Sequence, residues 1–425
     1  MNAIIFGITA SIVALTVYLI TNRNIVASIC AWFFFISTAS IIEAHAMAWS
    51  EPLFIIFSLS SLILLSIYVV QPTTSLFIAS ALSLGFALIT RYIGIAFLPA
   101  ALVLVFIGGR DRNVWQRSRA TFTWFVFAVA ILGIWLTRNK LIGGAATNRH
   151  FAFHPISVLK YSRDFVSVLS GFFIPIPLSA GIRLSILGLF ILSILIPSLF
   201  AIKYLQRTKD WRRIAIVLIV ACLLFVFSYT LFLLISISFV DAATPVDSRI
   251  LLPILVISIL GIFSAVWIIP RILRKSAFYW GFLILAIFSI LIKSSDAIHH
   301  ALSIQKNGLG YTSRHWQESE SIAFIKSLTK NVEIYSNGND VISFLTRRQV
   351  HSIPAKTNAG TMVDNEDFDK DFHAICKNVI ENKALLVYLN NITWRWYLPS
   401  QTEIETTCNL PVLENLEDGT VYGLK

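Results

Sequence analysis

The chain has 425 residues, of which 56% are hydrophobic and 13% charged, and its mean hydropathy is +0.74. This composition excludes a soluble globular enzyme and marks a polytopic helical membrane protein. The net charge of +11 is no nucleic-acid signal, because the basic residues sit in short loops between apolar runs, where they set orientation.

Long apolar runs lie near 1–21, 25–43, 52–70, 74–90, 92–108, 119–137, 183–203, 213–240, 249–269 and 278–294. By the length rule these are about nine or ten transmembrane helices. The first run lacks a basic leading region and a small-residue cleavage site, so it reads as a span and not as a signal peptide. The stretch 74–107 is too long for one crossing and is broken at Arg91-Tyr92. An arginine at mid-bilayer costs ~2.5–3.5 kcal/mol on an insertion scale. Two short spans meeting at Arg91, with the guanidinium at a membrane face, remove that cost.

Three basic clusters fall in loops separated by even numbers of crossings: Arg110, Arg112, Arg117 and Arg119; Lys203, Arg207, Lys209, Arg212 and Arg213; and Arg271, Arg274 and Lys275. The positive-inside rule makes that side cytoplasmic. The loop 44–51, the break at Arg91, the loops 138–182 and 241–248, and everything beyond about 295 then face outward. The N-terminus is also external, which is what a chain missing a first span and a first external loop looks like. The loop 138–182 is long enough to be functional, carries the breaker pair Gly143-Gly144, and has an amphipathic stretch at 155–175.

Beyond 300 the composition becomes that of a soluble domain, dividing the chain at 1–300 and 301–425. Helical spacing at 318–328, a strand at 332–336 closed by Asn337-Gly338, a helical turn at 340–346, a helix at 373–381, and strands at 384–389 and 419–424 argue a small α/β domain. Cys30 and Cys222 lie in spans and pack there. Cys376 and Cys408 share the tail, leaving a disulfide open where geometry and an oxidising compartment allow it.

The outward face collects Glu43, His45, Glu51, Arg91, Arg138, Arg149, His150, His154, Asp247 and Arg249. Charged residues at span ends facing one compartment are functional candidates. Glu51 reads either as a helix-start carboxylate beside Pro52 or as a ligand for a divalent cation or an acceptor group. Arg91 reads as a snorkelling anchor or as a bidentate phosphate ligand at headgroup depth. Arg149 and Arg249 are similar candidates, Arg249 with a surface ion pair to Asp247 as its plain alternative, and His45 is an interfacial histidine or a ligand. No soluble-enzyme motif is present, neither a phosphate-binding glycine loop nor a zinc motif nor a nucleophile elbow. Asn391-Ile392-Thr393 fits a glycosylation acceptor only weakly.

AMAWSEPLFIIFSLSSLILL and LGFALITRYIGIAFLPAALVLV resemble the C-type membrane glycosyltransferases, relatives of protein O-mannosyltransferases and of the lipid A aminoarabinose transferases. LTRNKLIGGAATNRH, DSRILLPILVISILG and the tail segments VEIYSNGNDVISFLTRRQVHSIP and DGTVYGL are similar to later parts of that family. The resemblance implies transfer of a sugar from a polyprenyl-phosphate carrier to an extracytoplasmic glycan, lipid or protein, in a bacterial inner or plasma membrane. It implies that Glu51 is the catalytic carboxylate, near the acceptor or a Mg or Mn ion. Arg91 would sit at the carrier phosphate, Arg149 and Arg249 beside the donor, and His45 among the substrate-binding residues. Members of the family begin with an inside-to-outside span and a first external loop carrying a leading carboxylate. This chain has neither, and the expectation is that it is inactive as it stands. The competing readings are a flippase for a lipid-linked sugar, which repeats and mid-membrane charges would favour, and a non-catalytic membrane scaffold.

Overall fold

The structure is a computed structural model and describes residues 1–108, 113–147, 149, 151–174, 178–204, 210–273, 276–329 and 332–424. Arg110, Arg112, His150, Arg207, Lys209, Arg274 and Lys275 lie outside the described residues. The chain divides into two compact units. One comprises Met1–Arg149, Pro155–Ser238 and Thr244–Leu302, the other His150–His154, Phe239–Ala243 and Ser303–Lys425.

The first unit is helical: α1 (Asn2–Ile20), α2 (Ile25–Ile36), α3 (Ala39–Ala46), α4 (Glu51–Val70), α5 (Thr74–Thr90), a 3-10 turn (Tyr92–Ala96), α6 (Phe97–Gly108), α7 (Val114–Gly143), α8 (Val158–Gly171), α9 (Ala180–Tyr204), α10 (Asp210–Phe239), α11 (Ser248–Leu273) and α12 (Ser276–Asn307). Among the described residues six helices are long and apolar enough to cross a membrane, and a seventh crossing counts if α2 and α3 form one bent span. Thr74–Thr90, Tyr92–Gly108 and Ala180–Leu189 are shorter apolar helices. This is an integral membrane protein. The apolar stretch 74–107 divides at Arg91 as the charge argument required.

One expected span is corrected. The run 25–43 is not a single helix but bends by 60° between α2 and α3. Thr38 turns its backbone N–H to Phe35 O, so Phe34 O loses its normal partner and accepts instead from Thr38 Oγ1 at 2.8 Å. Buried Lys293 of α12 closes the break, donating to Thr38 Oγ1 at 2.6 Å and to Phe34 O at 3.4 Å over the Phe34 ring. In hydrocarbon a broken helix persists only where such partners replace the lost backbone bonds.

α11 is the central pillar, with 89% of its most apolar window buried, whereas α7 stands at the lipid-facing edge with 17%. α4 and α5 form an antiparallel pair through the turn at 71–73, tied by Ser61 Oγ donating to Ser80 O at 2.9 Å. α7 runs parallel to α5: Trp124 Nε1 donates to Ser80 Oγ at 3.0 Å, and Gly85 fits beneath Ala128 and Ile131 one turn further along. Small residues let spans approach this closely. In consequence the start of α4, the end of α5 and the end of α7 share one end of the bundle. Arg117 and Arg119, at the start of α7, lie at the other. On α11, Arg249 and Arg271 are ~33 Å apart along the axis.

In the second unit, α13 (Arg314–Gln317), α14 (Glu320–Ser327), β1 (Glu333–Ser336), α15 (Asn339–Thr346), β2 (His351–Ser352), α16 (Phe368–Ile380), β3 (Ala384–Leu389), α17 (Gln401–Cys408), β4 (Val412–Leu416) and β5 (Gly419–Tyr422) build a five-stranded sheet of order β2-β1-β3-β5-β4. β1 is parallel to β2 and β3, and β5 is antiparallel to β3 and β4. Central β3 is buried on both faces, which explains its unbroken apolar run. Val387 and Leu389 pack with Ile322, Ile325, Val341 and Ile342, while Ala384 and Leu386 pack with Phe372, Ile375, Val379 and Ile404. Loops from the helical part join this unit: Ala152 N–H donates to Phe239 O and Ala242 N–H to Gly360 O. Cys376 of α16 and Cys408 of α17 are joined in a disulfide, their Cα atoms 5.5 Å apart. Such a link is worth on the order of 2–4 kcal/mol.

α17 begins with a capping box in which the Ser400 hydroxyl accepts from the Glu403 N–H and Glu403 accepts from the Ser400 N–H. Lys356 Nζ adds hydrogen bonds to both Glu403 oxygens at 2.8 and 3.0 Å. The lysine hydrogen bond and the Ser400 contacts hold Glu403 down at about 2. A carboxylate so depressed stabilises the fold above its unfolded value of ~4.3, and the contribution disappears as pH falls through the folded value. Hydrogen-exchange protection of α17, corrected for intrinsic rate, is therefore expected to decline from about pH 4.5 toward 2, and Lys356→Met to shrink that decline. An unchanged pH profile in the variant removes the lysine's role.

Candidate functional site

Three helix ends bring together a buried carboxylate and two guanidiniums. Glu51 is the first residue of α4, followed by Pro52, which suits the first helical turn because no N–H is needed there. Its side chain is wholly buried. Arg91 ends α5 in extended conformation, and the chain then tightens into the 3-10 turn, where Gly94 N–H donates to Arg91 O at 2.9 Å. A Cβ at Gly94 would stand 3.2 Å from the Phe54 ring and 3.3 Å from Leu88 Cα. The glycine is thus what lets the chain re-enter so close to its own helix. Ser228 of α10 satisfies the turn, donating to Ala96 O at 2.7 Å. Arg249 is the second residue of α11.

Arg91 Nη1 and Arg249 Nε both donate to Glu51 Oε1. Arg91 is 17% exposed and Arg249 42%. The Arg249 guanidinium lies over the Trp49 ring, 4.5 Å from its centroid, which fixes its plane. Glu51 Oε2 is buried with no hydrogen-bond partner among the described residues. Within this trio two guanidiniums face one carboxylate, and a second carboxylate, Asp247, stands at the same helix start as Arg249. Both guanidiniums keep donors not committed to Glu51, which an anion can take up.

Asp247 does not pair with Arg249, as the simplest sequence reading had it. Its Oδ1 accepts from Ile250 N–H at 2.8 Å and caps α11. Tyr229, fully buried in α10, donates to Ile250 O at 2.7 Å and fastens the same helix start. Sequence reasoning missed Tyr229 and the stacking role of Trp49. A tyrosine in an otherwise apolar span was the available signal for the first, and an aromatic two residues before a buried acid for the second.

The other candidates lie elsewhere. His45 of α3 is buried, its Nδ1 against Ile41 O at 2.7 Å and its ring edge-on to Phe6 at 5.2 Å. Its Nε2 is buried with no hydrogen-bond partner among the described residues, so no hydrogen bond joins it to Glu51. Arg149 is exposed on the coil beyond α7, with its N–H donating to Thr147 Oγ1 at 3.3 Å. Glu43 faces His300 at 3.9 Å. A cavity of about 420 Å³ opens beside Tyr92, the residue after Arg91, lined by Arg138, Asn139 and Thr147. A second, apolar cavity of about 460 Å³ is lined by Leu169, Leu187, Cys222, Ile254 and Ser258. Ile254 and Ser258 are roughly 140–180° around α11 from Arg249, so this cavity is on the helix's other face. Among the described residues no group of three or more His, Cys, Asp or Glu side chains is placed to hold a metal ion. Glu51, with two guanidiniums on one oxygen, is a poor ligand set for a divalent cation.

No family profile matches the chain, and no curated protein matches it in sequence. Among solved structures it is similar to ArnT from Cupriavidus metallidurans in the apo state, with a TM-score of 0.52 and 12% identity over 99% of this chain and 82% of that one. The fold is ArnT-like. At that identity the likeness speaks for the fold alone.

Removing one partner of a buried ion pair costs about 3–5 kcal/mol because the other charge is left uncompensated. Glu51→Gln is expected to lower the unfolding temperature of the detergent-solubilised protein. Adding Arg249→Gln to it should recover part of the loss, since one unpaired cation is then gone. A Glu51→Gln protein as stable as the parent would show that the cluster carries no structural load.

Proposed function

We propose that the protein is a membrane glycosyltransferase that moves a sugar from a polyprenyl-phosphate carrier to an acceptor outside the cytoplasm. The observation that carries this reading is the convergence of two guanidiniums, Arg91 and Arg249, on Glu51 at one end of the helical bundle, each with donors left uncommitted. Phosphate of a lipid carrier lies at headgroup depth, where span ends are. Two planar guanidiniums offer it paired donors, one of them held by a stacked indole. The ArnT-like fold supports the same reading.

The reaction breaks the bond between the sugar's anomeric carbon and the carrier phosphate oxygen. The electron pair leaves with the phosphate, and Arg91 and Arg249 stabilise the anion that departs. The acceptor hydroxyl oxygen forms the new bond at the anomeric carbon. Glu51 has two tasks in this account: Oε1 holds the guanidiniums in place, and Oε2, without a partner, is the atom that takes the acceptor's proton. No step is routed through a divalent cation, because the neighbouring guanidiniums oppose one. The cavity beside Tyr92 adjoins Arg91 and offers room for the polar part of a substrate. Arg149 belongs to this reading only as a further cation at the rim.

Two features support this orientation. Arg117, Arg119 and Arg271 lie at the bundle end opposite the cluster, and the positive-inside rule makes their side cytoplasmic. The Cys376–Cys408 link needs an oxidising compartment. A flippase reading has less support, since the Glu51 cluster sits at helix ends and the basic group within a span, Lys293, is taken up by the α2–α3 break.

Two measurements test the proposal. In nanodiscs, polyprenyl phosphate should bind at least 10-fold more tightly than the uncharged polyprenol, and Arg91→Ala should erase the difference. Equal affinity for the two lipids would sink the phosphate site. With a sugar-loaded carrier and membranes containing the protein, transfer by the parent chain would reverse the expectation of inactivity that the family resemblance carried; it should be lost in Glu51→Gln and in Arg91→Ala, and weakened in Arg249→Ala. Separately, in intact cells Cys376 and Cys408 should resist a membrane-impermeant maleimide until an impermeant reductant is added. Labelling only after lysis would put the terminal unit on the cytoplasmic side.

A further inference from the structure

The second unit has a feature that the membrane reaction does not use. Its sheet reverses direction of growth between β1 and β3: the chain leaves β1 for β2 on one side and returns to β3 on the other. In open α/β sheets the carboxyl ends of strands flanking such a point form a crevice that receives ligands. Here the two ends are Ser336-Asn337-Gly338 and Leu389-Asn390-Asn391. Buried Asn337 knits them, donating to Leu389 O at 2.9 Å and accepting from Leu389 N–H at 2.8 Å.

The loop after β3 is pinned against this crevice. Ile392 and Leu398 are buried, and Lys356 N–H donates to Tyr397 O at 2.9 Å. Arg395 turns inward, donating to Asn337 O at 2.9 Å, Asn339 Oδ1 at 3.1 Å and Asp340 Oδ2 at 2.7 Å. Asp340 Oδ2 also accepts from Tyr311 at 2.5 Å, while its buried Oδ1 has no partner among the described residues. With its neighbours held in, the loop leaves Trp394 and Trp396 outward, 55% and 51% exposed. Two large indoles kept in water on an anchored loop have already met the ordering cost of binding.

We propose that this loop and crevice bind a neutral saccharide. A sugar ring offers a face of C–H groups that packs on an indole and an edge of hydroxyls that need polar partners. Exposed Asn390 and Thr393 and half-exposed Asn391 flank the tryptophans in sequence and offer polar partners for the hydroxyls. The charge pattern favours this ligand over a bilayer surface. Arg395 is the sole charged residue between 390 and 400, and it is spent on Asp340, so the loop shows no cation to anionic headgroups. The site does not depend on the transfer reaction proposed above.

The test uses the full chain in phosphatidylcholine nanodiscs, with maltohexaose, cellohexaose and chitohexaose as probes in titration calorimetry and saturation-transfer NMR. At least one hexasaccharide should bind saturably, and Trp394→Ala and Trp396→Ala should each weaken it 10-fold or more with the Cys376–Cys408 link and the unfolding temperature unchanged. Arg91→Ala should leave that isotherm as it is, so failure of the phosphate site and failure of this one are told apart. Absence of saturable binding by all three probes overturns the proposal, as does binding undiminished in the double tryptophan variant. Quenching of Trp394 and Trp396 by brominated phosphatidylcholine, identified by loss of the signal in Trp394→Phe and Trp396→Phe, would place them in the bilayer and overturn it too.

Discussion

A single carboxylate oxygen ties one end of the membrane unit together. Glu51 Oε1 receives a guanidinium from the end of α5 and another from the start of α11. A wholly buried carboxylate is costly unless paired and hydrogen-bonded, so the placement of α4 against both helices is coupled to that pairing. The pairing in turn needs Arg91 to emerge at the right depth. That depth is set by breaking the 74–107 stretch with a 3-10 turn in which Gly94 packs closely on Phe54 and Leu88. The α11 side is set by Asp247 capping the helix and Tyr229 holding Ile250 O. The site's geometry is therefore a consequence of how three helices end, and the spans themselves supply the rigid lengths behind them.

The second guanidinium is what separates this cluster from an ordinary structural ion pair. One acid with one base would be neutral, and its burial would need no further explanation. One acid with two bases leaves a cation partly open to the surface, Arg249 at 42% exposure and steadied by Trp49. Such an arrangement is held ready for an anion, and it does not have to reorganise when one arrives.

How far the sequence could be read depended on whether a property was local. The spans were legible because hydrocarbon demands long apolar helices, and the break at Arg91 because a mid-bilayer guanidinium is too costly. β3 announced itself as ALLVYL because both of its faces are covered. β4 and α17 did not, since β4 is an exposed edge with no alternation and α17 buries little beyond Ile404 and Cys408. For α17 the Ser400–Glu403 capping box was the one available signal. Glu51, Arg91 and Arg249 stood out singly as charges at span ends, but their convergence on one oxygen is a fact of packing between residues up to 198 apart in sequence. His45 looked equally eligible by residue type, and only the packing of Phe6 and Phe35 around it shows why it is buried.

Lys293 sharpens that distinction. A lysine inside a span is a functional candidate by default, and by burial alone it would rank with Glu51. Its surroundings say otherwise. The 60° break between α2 and α3 leaves Phe34 O without its helical N–H, and the ammonium answers that vacancy together with Thr38 Oγ1 and the face of Phe34. Every contact of the charge repairs a defect in the backbone, so the burial is explained by the fold. Glu51 has the opposite accounting. None of its described contacts serves its own helix start, one of its oxygens has no partner among the described residues, and the other gathers two guanidiniums. A buried charge whose contacts leave something over is the one to which a reaction is best assigned.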